Sequence, residues 1–186
     1  MFMEALRHNW YVMNGTIDCH GFNFLFNKVI LLFVLIIGAL MAGVPGTGGL
    51  LYAIVFGPVA EELLKQSGMT YLLEKKPYRV FAAWQFVFVA VVAGLVFATI
   101  ENLVYINIYF PASGVRNVAT AAAFRWVACT LLHVSCAAIA SLGLVRVWRR
   151  QLHEGGSPEL TAAFPFFIAA MVVHGTYNFA AMFVQF

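Results

Sequence analysis

Residues 84–101 read WQFVFVAVVAGLVFATIE, eighteen residues in which Gln85 and Thr99 are the only polar side chains before the final Glu101. Roughly 20 predominantly apolar residues cross a bilayer as a helix, so this run predicts a transmembrane helix that carries a carboxylate near its far end. The surrounding chain has the same character. Of its 186 residues 62% are hydrophobic and 10% charged, with mean hydropathy +0.85, whereas a soluble domain is about half apolar and a quarter charged. A soluble globular protein is excluded, and a chain this short holds several crossings and little extramembrane domain.

Working outward, helix breakers divide the sequence. Residues 1–21 mix polar and aromatic side chains (Trp10, Tyr11) and read as an interfacial N-terminal segment. A first span is expected from Phe22 to Gly43, followed by a Gly/Pro-rich turn, Gly43-Val44-Pro45-Gly46-Thr47-Gly48-Gly49. A second helix begins near Gly49, kinks at Gly57-Pro58 and runs through Glu61 and Lys65 to Lys76-Pro77. A third, unusually long, is expected from Tyr78 to Phe110, a fourth from Val118 to Trp148 and a fifth from Leu160 to Val184. The expected fold class is all-α: a polytopic integral membrane helical bundle of about five transmembrane helices, with residues 22–186 as one domain.

Charge sets an orientation. Arg7, Lys28, Lys75, Lys76, Arg79, Arg146, Arg149 and Arg150, eight of the eleven Lys/Arg, fall on one face. The positive-inside rule makes that face cytoplasmic, so the N-terminus is expected inside and the C-terminus outside, in the cytoplasmic (inner) membrane. Basic loops beside apolar spans indicate a bilayer as the partner and no nucleic acid. Cys129 and Cys136 lie seven apart on one helix, about 10 Å along the axis, beyond disulfide reach.

Glu61, Glu62, Glu101, Arg125, His133, His174 and Asn178 all lie within expected spans. Each ionisable group there costs about 2.5–3.5 kcal/mol on insertion scales, so it must face the bundle interior and find partners, and function is its default reading. Counted by helix rise from the cytoplasmic loops, Glu61, His133 and His174 share a depth of roughly 20–23 Å, with Glu101 about 25 Å from Trp84. Glu61 and Lys65 are four apart with the acid first, the favoured ion-pair order, while Glu61 and Glu62 diverge by about 100°. One acid can therefore face a cavity while Lys65 or Arg125 holds the other as a structural ion pair. Four helices can aim polar groups at one centre.

Two chemistries fit such a centre. A carboxylate in an apolar chamber suits a general base for water, with imidazole and amide groups beside it to bind a developing oxyanion. Alternatively, Glu101, His133 and His174, with or without Glu61, supply the ligands of one catalytic zinc ion. Asp18 is the only aspartate, which rules out a two-aspartate mechanism, and neither H-E-x-x-H nor G-x-S-x-G occurs. A reading from another class is a non-enzymatic proton or ion conduit, or a membrane scaffold, because buried Glu and His also form proton relays. The wholly apolar stretch from Val87 to Val96 favours a closed pocket over a pore.

Glu61-Glu62-Leu63-Leu64-Lys65 reads E-E-x-x-K, Phe97 to Asn102 reads F-x-x-x-E-N, Arg125 and His133 stand eight apart on the next helix, and His174 to Asn178 reads H-x-x-x-N. This ordered set resembles the PrsW family of intramembrane proteases, relatives of the CAAX prenyl proteases and bacteriocin-immunity proteins. The resemblance covers Leu51 to Phe183 and implies an intramembrane endopeptidase acting on a membrane-tethered protein such as an anti-sigma factor. It further implies that Glu61 activates water with help from Glu101, and that His174 and Asn178 bind the oxyanion, or that His174 binds a metal. His133 matches the extra histidine of PrsW-like sequences. Glu61, Glu62, Glu101, His133, His174 and Asn178 are the expected catalytic set.

Overall fold

The computed structural model describes residues 47–184, and within them every regular element is helical. Helix α1 runs without interruption through Thr47–Leu51, a π-helical turn Tyr52–Phe56 and Gly57–Lys75. Helix α2 is Ala83–Ser113, α3 is Val118–Glu154 and α4 is Leu160–Ala181, and these three are long and apolar enough to cross a membrane. The segment 1–21 and the expected first span lie outside the described residues.

The kink expected at Gly57-Pro58 is replaced by the wide turn just before it. Gly57 donates its N–H to Tyr52 O, five residues back, and Pro58 has no N–H for the next carbonyl, Ala53 O. A π-helical turn absorbs the mismatch without breaking the helix. Helix α2 starts five residues later than expected, because Gln85 Oε1 accepts the N–H groups of Phe81 (2.6 Å) and Ala82 (3.0 Å) and caps a helix beginning at Ala83. It also passes through Pro111 to Ser113, where Gly114, with φ 69°, ends it. Helix α3 continues six residues past Trp148, whereas α4 stops three residues short of Val184.

Helix α3 is central and packs against α1, α2 and α4. Close approach rests on small residues, as expected where lipid removes the hydrophobic drive for helix association. A Cβ on Gly94 of α2 would lie 2.9 Å from His133 O, and one on Gly143 of α3 would lie 2.9 Å from Ala163 O. A Cβ on Gly175 of α4 would collide with Ile54 O in the π-turn of α1. The bundle has two storeys. Met69, Leu73, Val80, Phe86, Cys136, Ala140, Leu144, Val147, Ala163, Phe167 and Ala170 form a dry core at the end where the loops 76–82 and 155–159 lie. The polar residues fill the other storey, and Phe88, Val96, Ile100, Val127, Leu131, Ile168 and Val172 are exposed on the outside, as lipid-facing side chains are.

Candidate active site

The two adjacent acids of α1 part company. Glu62 turns inward and is fully buried, its Oε1 accepting from Lys65 Nζ at 2.7 Å and from His174 Nδ1 at 2.8 Å. Because Nδ1 carries that hydrogen, the Nε2 of His174 is left with its lone pair, which points at Glu61 Oε2 3.6 Å away. Lys65 therefore pairs with Glu62 at i, i+3, and the Glu61–Lys65 pair suggested by spacing does not form. A charge pair this deeply buried is expensive to break from one side. Lys65→Met is expected to destabilise the bundle by about 3–5 kcal/mol, read as a lowered unfolding midpoint of the purified protein in detergent.

On α3, His133 is held at both ring nitrogens. Lys65 Nζ, which can only donate, lies 2.7 Å from Nδ1, and Nε2 is 2.5 Å from Glu101 Oε2. The proton therefore sits on Nε2 and the lone pair on Nδ1, which is 3.9 Å from Glu61 Oε2. The two imidazoles meet edge to face with centroids 4.9 Å apart. Phe97 closes the chamber, its ring 5.4 Å from His133 and 4.7 Å below Lys65 Nζ. Arg125 does not reach α1: it pairs with Glu101 Oε1 at 3.2 Å and stacks on Tyr105 at 3.5 Å.

Glu61 is what remains. Its Oε2 is buried without a hydrogen-bond partner, between imidazoles supplied by α3 and α4. The side chain as a whole is 23% exposed, against 2% for each histidine, so the chamber has a mouth on the Glu61 side. Glu61, His133 and His174 each offer one ligand atom, and all three atoms lie within 4.8 Å of one another. Glu61 Oε2 and His174 Nε2 face each other as acceptors with no donor between them, and His133 Nδ1 is a third acceptor, met by Lys65 Nζ at 2.7 Å. Three such atoms are the chemistry of a cation site, and the ligand atoms of a tetrahedral zinc ion lie about 3.3 Å apart. The residues present thus fit a metal. Spacing had put Glu101 among the ligands; in the structure Glu101 stands behind His133, hydrogen-bonded to its ring and tied to Arg125. That is the place of a carboxylate that orients an imidazole.

Asn178 makes a contact that spacing did not foresee. Its Nδ2 donates to Ala53 O at 2.9 Å, the carbonyl left without a donor because Gly57 serves Tyr52 and Pro58 has no N–H. Asn102, fully buried beside Glu101, touches another wide turn: its Nδ2 is 3.4 Å from Arg125 O, which also accepts from Thr130 N–H, in the π-helical turn Arg125–Cys129. A third such turn, Tyr105–Tyr109, follows Glu101. The F-x-x-x-E-N spacing gives Asn102 no role, and hydropathy and spacing do not reveal the π-turns. Pro58 was the one available signal, since it forbids both the ordinary and the widened hydrogen bond at its own position. Cys129 and Cys136 stay outside the trio: the Cys129 thiol meets Tyr177 OH at 3.1 Å and Cys136 is buried in the dry core.

No curated protein and no solved structure matches the chain. Residues 18–186 match a family model described as PrsW family intramembrane metalloprotease, which includes all four motif-bearing helices. The conduit or scaffold reading is not favoured by that match. The molecule is an integral membrane protease, and its substrate is a membrane protein. The chain belongs to the PrsW family of intramembrane metalloproteases.

Proposed function

We propose that this protease hydrolyses a peptide bond of a membrane-tethered protein in the chamber between α1, α3 and α4, with Glu61 as the group that takes the proton from the attacking water. The observation that carries the proposal is the buried, unpartnered Glu61 Oε2 within 4 Å of one nitrogen from each of two histidines. Glu62 fixes the His174 ring so that Nε2 faces the reacting centre. Glu101, steadied by Arg125, does the same for His133. Asn178 is a positioning residue: it holds the first π-turn against α4, and the oxyanion falls to the histidine side of the chamber. The dry storey beneath keeps bulk water from reaching the site from the loop end.

Glu61 Oε2, His174 Nε2 and His133 Nδ1 would hold a metal ion, and with Oε2 so engaged the proton from the attacking water would go to the other carboxylate oxygen, Glu61 Oε1. A bound ion supplies Lewis acidity, polarising the scissile carbonyl and making water acidic enough to attack at neutral pH. For His133 to serve, Lys65 must release Nδ1, which it can do while keeping Glu62. Chelation is expected to remove both the metal and the activity, and zinc to restore them, with metal content measured by elemental analysis. Full cleavage by protein free of metal would leave Glu61 acting on water unaided.

The finer topology belongs to the same proposal. The protease domain lies in the cytoplasmic membrane, and the loops 76–82 and 155–159 face the cytoplasm with the C-terminal end of α4 outside. The basic clusters at Lys75–Arg79 and Arg146–Arg150 support this. The substrate is a membrane-anchored protein such as an anti-sigma factor. Membrane proteins that accumulate in cells carrying Glu61→Gln, identified by mass spectrometry, test that assignment.

A further inference from the structure

A hollow away from the catalytic chamber opens on the described molecule. It is a groove of about 410 Å³ on the flank of the dry storey, lined by Ala83, Trp84 and Val87 of α2, Leu142, Val145, Arg146 and Arg149 of α3, and Phe166 of α4. Its lining is graded. Leu142, Val145, Arg146 and Arg149 follow one another at helical spacing on a single face of α3, so the groove passes from apolar to basic over about 10 Å toward the helix end. Trp84, 65% exposed in the first turn of α2, stands beside it, where an indole marks the headgroup level.

The arginines are unequal in partners. Arg150 is tied to Glu154 at 2.8 Å and to Glu159 at 2.9 Å. Arg146 and Arg149 are exposed and have no carboxylate partner among the described residues. Two unpaired guanidiniums at the rim of an apolar trough complement an amphiphile with an anionic head and a hydrocarbon tail. A peptide fits less well, because its backbone N–H and C=O groups need partners at hydrocarbon depth, and the deeper lining, Val87, Leu142, Val145 and Phe166, offers none.

We infer that this groove is a binding site for one anionic glycerophospholipid, its phosphodiester on Arg146 and Arg149 and an acyl chain along Val87, Leu142, Val145 and Phe166. The site is separate from the chamber, and the inference does not rest on the catalytic proposal. A lipid held there would brace α2, α3 and α4 at the end opposite the chemistry.

Native mass spectrometry of the full chain, taken from vesicles of equimolar phosphatidylglycerol and phosphatidylcholine, tests it. The wild-type protein is expected to retain one phosphatidylglycerol with about a twentyfold preference, each arginine at the surface contributing on the order of fivefold. Arg146→Gln with Arg149→Gln should reduce that preference to about twofold or less, while Arg150→Gln leaves it unchanged. No retained lipid, equal retention of both lipids, or an undiminished preference in the double variant would overturn the assignment. So would displacement of the lipid by inorganic phosphate, which would make this a simple anion site, or by an acidic peptide, which would make it a peptide-docking groove.

Discussion

Glu61→Gln is expected to lower cleavage of a membrane-tethered reporter by about 10²–10⁴-fold, the range for loss of a general base, while the bundle stays folded. Both halves follow from how the two neighbouring acids are used. Glu62 is bound to Lys65 and His174 and holds α1 to α4. Glu61 makes no hydrogen bond through its buried Oε2, so an isosteric amide there would take away the proposed base and ligand atom without removing a hydrogen bond that holds the bundle. The unfolding midpoint should match the wild type or exceed it, because the charge removed stands near Glu62 and Glu101. Bound metal should fall in parallel with activity, and Glu62→Gln should instead lower the midpoint. A purified Glu61→Gln protein that still cleaves would end the assignment of Glu61.

The second large effect is expected far from any titratable atom. Gly175→Ala places a methyl group against Ile54 O, a backbone atom that cannot rotate away. Helices α1 and α4 must separate, which strains the Asn178–Ala53 hydrogen bond and draws His174 away from Glu61 and Glu62. Overpacking of this kind costs about 1–3 kcal/mol. The functional loss should be larger than the stability loss suggests, since a displacement of about 1 Å at the reacting centre is worth on the order of 10²-fold. Gly68→Ala is the control: it lies on α1 with open space around it and should raise stability by about 0.5–1 kcal/mol. Comparing the two variants for cleavage and for unfolding midpoint separates helix approach from helix propensity; equal behaviour would contradict the role given to Gly175.

The residues that meet in the chamber were legible because ionisable groups are costly in hydrocarbon, and helix rise alone put Glu61, His133 and His174 at one depth. Which acid of the pair faces inward was not. Lys65 is four residues from Glu61 and three from Glu62, both acceptable spacings. The choice is made by His174, more than a hundred residues away, which adds a second donor to Glu62 Oε1. Glu101 illustrates the same limit: spacing gave its direction, but only the position of α3 decides that it meets the outer nitrogen of His133 and not the centre. The start of α2 was missed because a hydropathy pattern does not register that Gln85 folds back on the backbone of Phe81 and Ala82. The graded groove was hidden as well, since Arg146 and Arg149 read in the sequence as markers of orientation, and their lack of acidic partners among the described residues is visible only when Arg150 is seen taking both nearby glutamates.

The wide turns in α1, α2 and α3 carry a further consequence. Each inserts one extra residue into an otherwise regular helix, which offsets the two halves by about 100° around the axis. A stripe traced along the sequence at uniform pitch therefore slips to another side of the rod when it passes residues 52–56, 105–109 or 125–129. The two ends of these rods are free to satisfy different surroundings, one greasy and one wet. Deleting a single residue from such a joint would swing one end out of phase with the other, although not one of the reactive side chains had been touched.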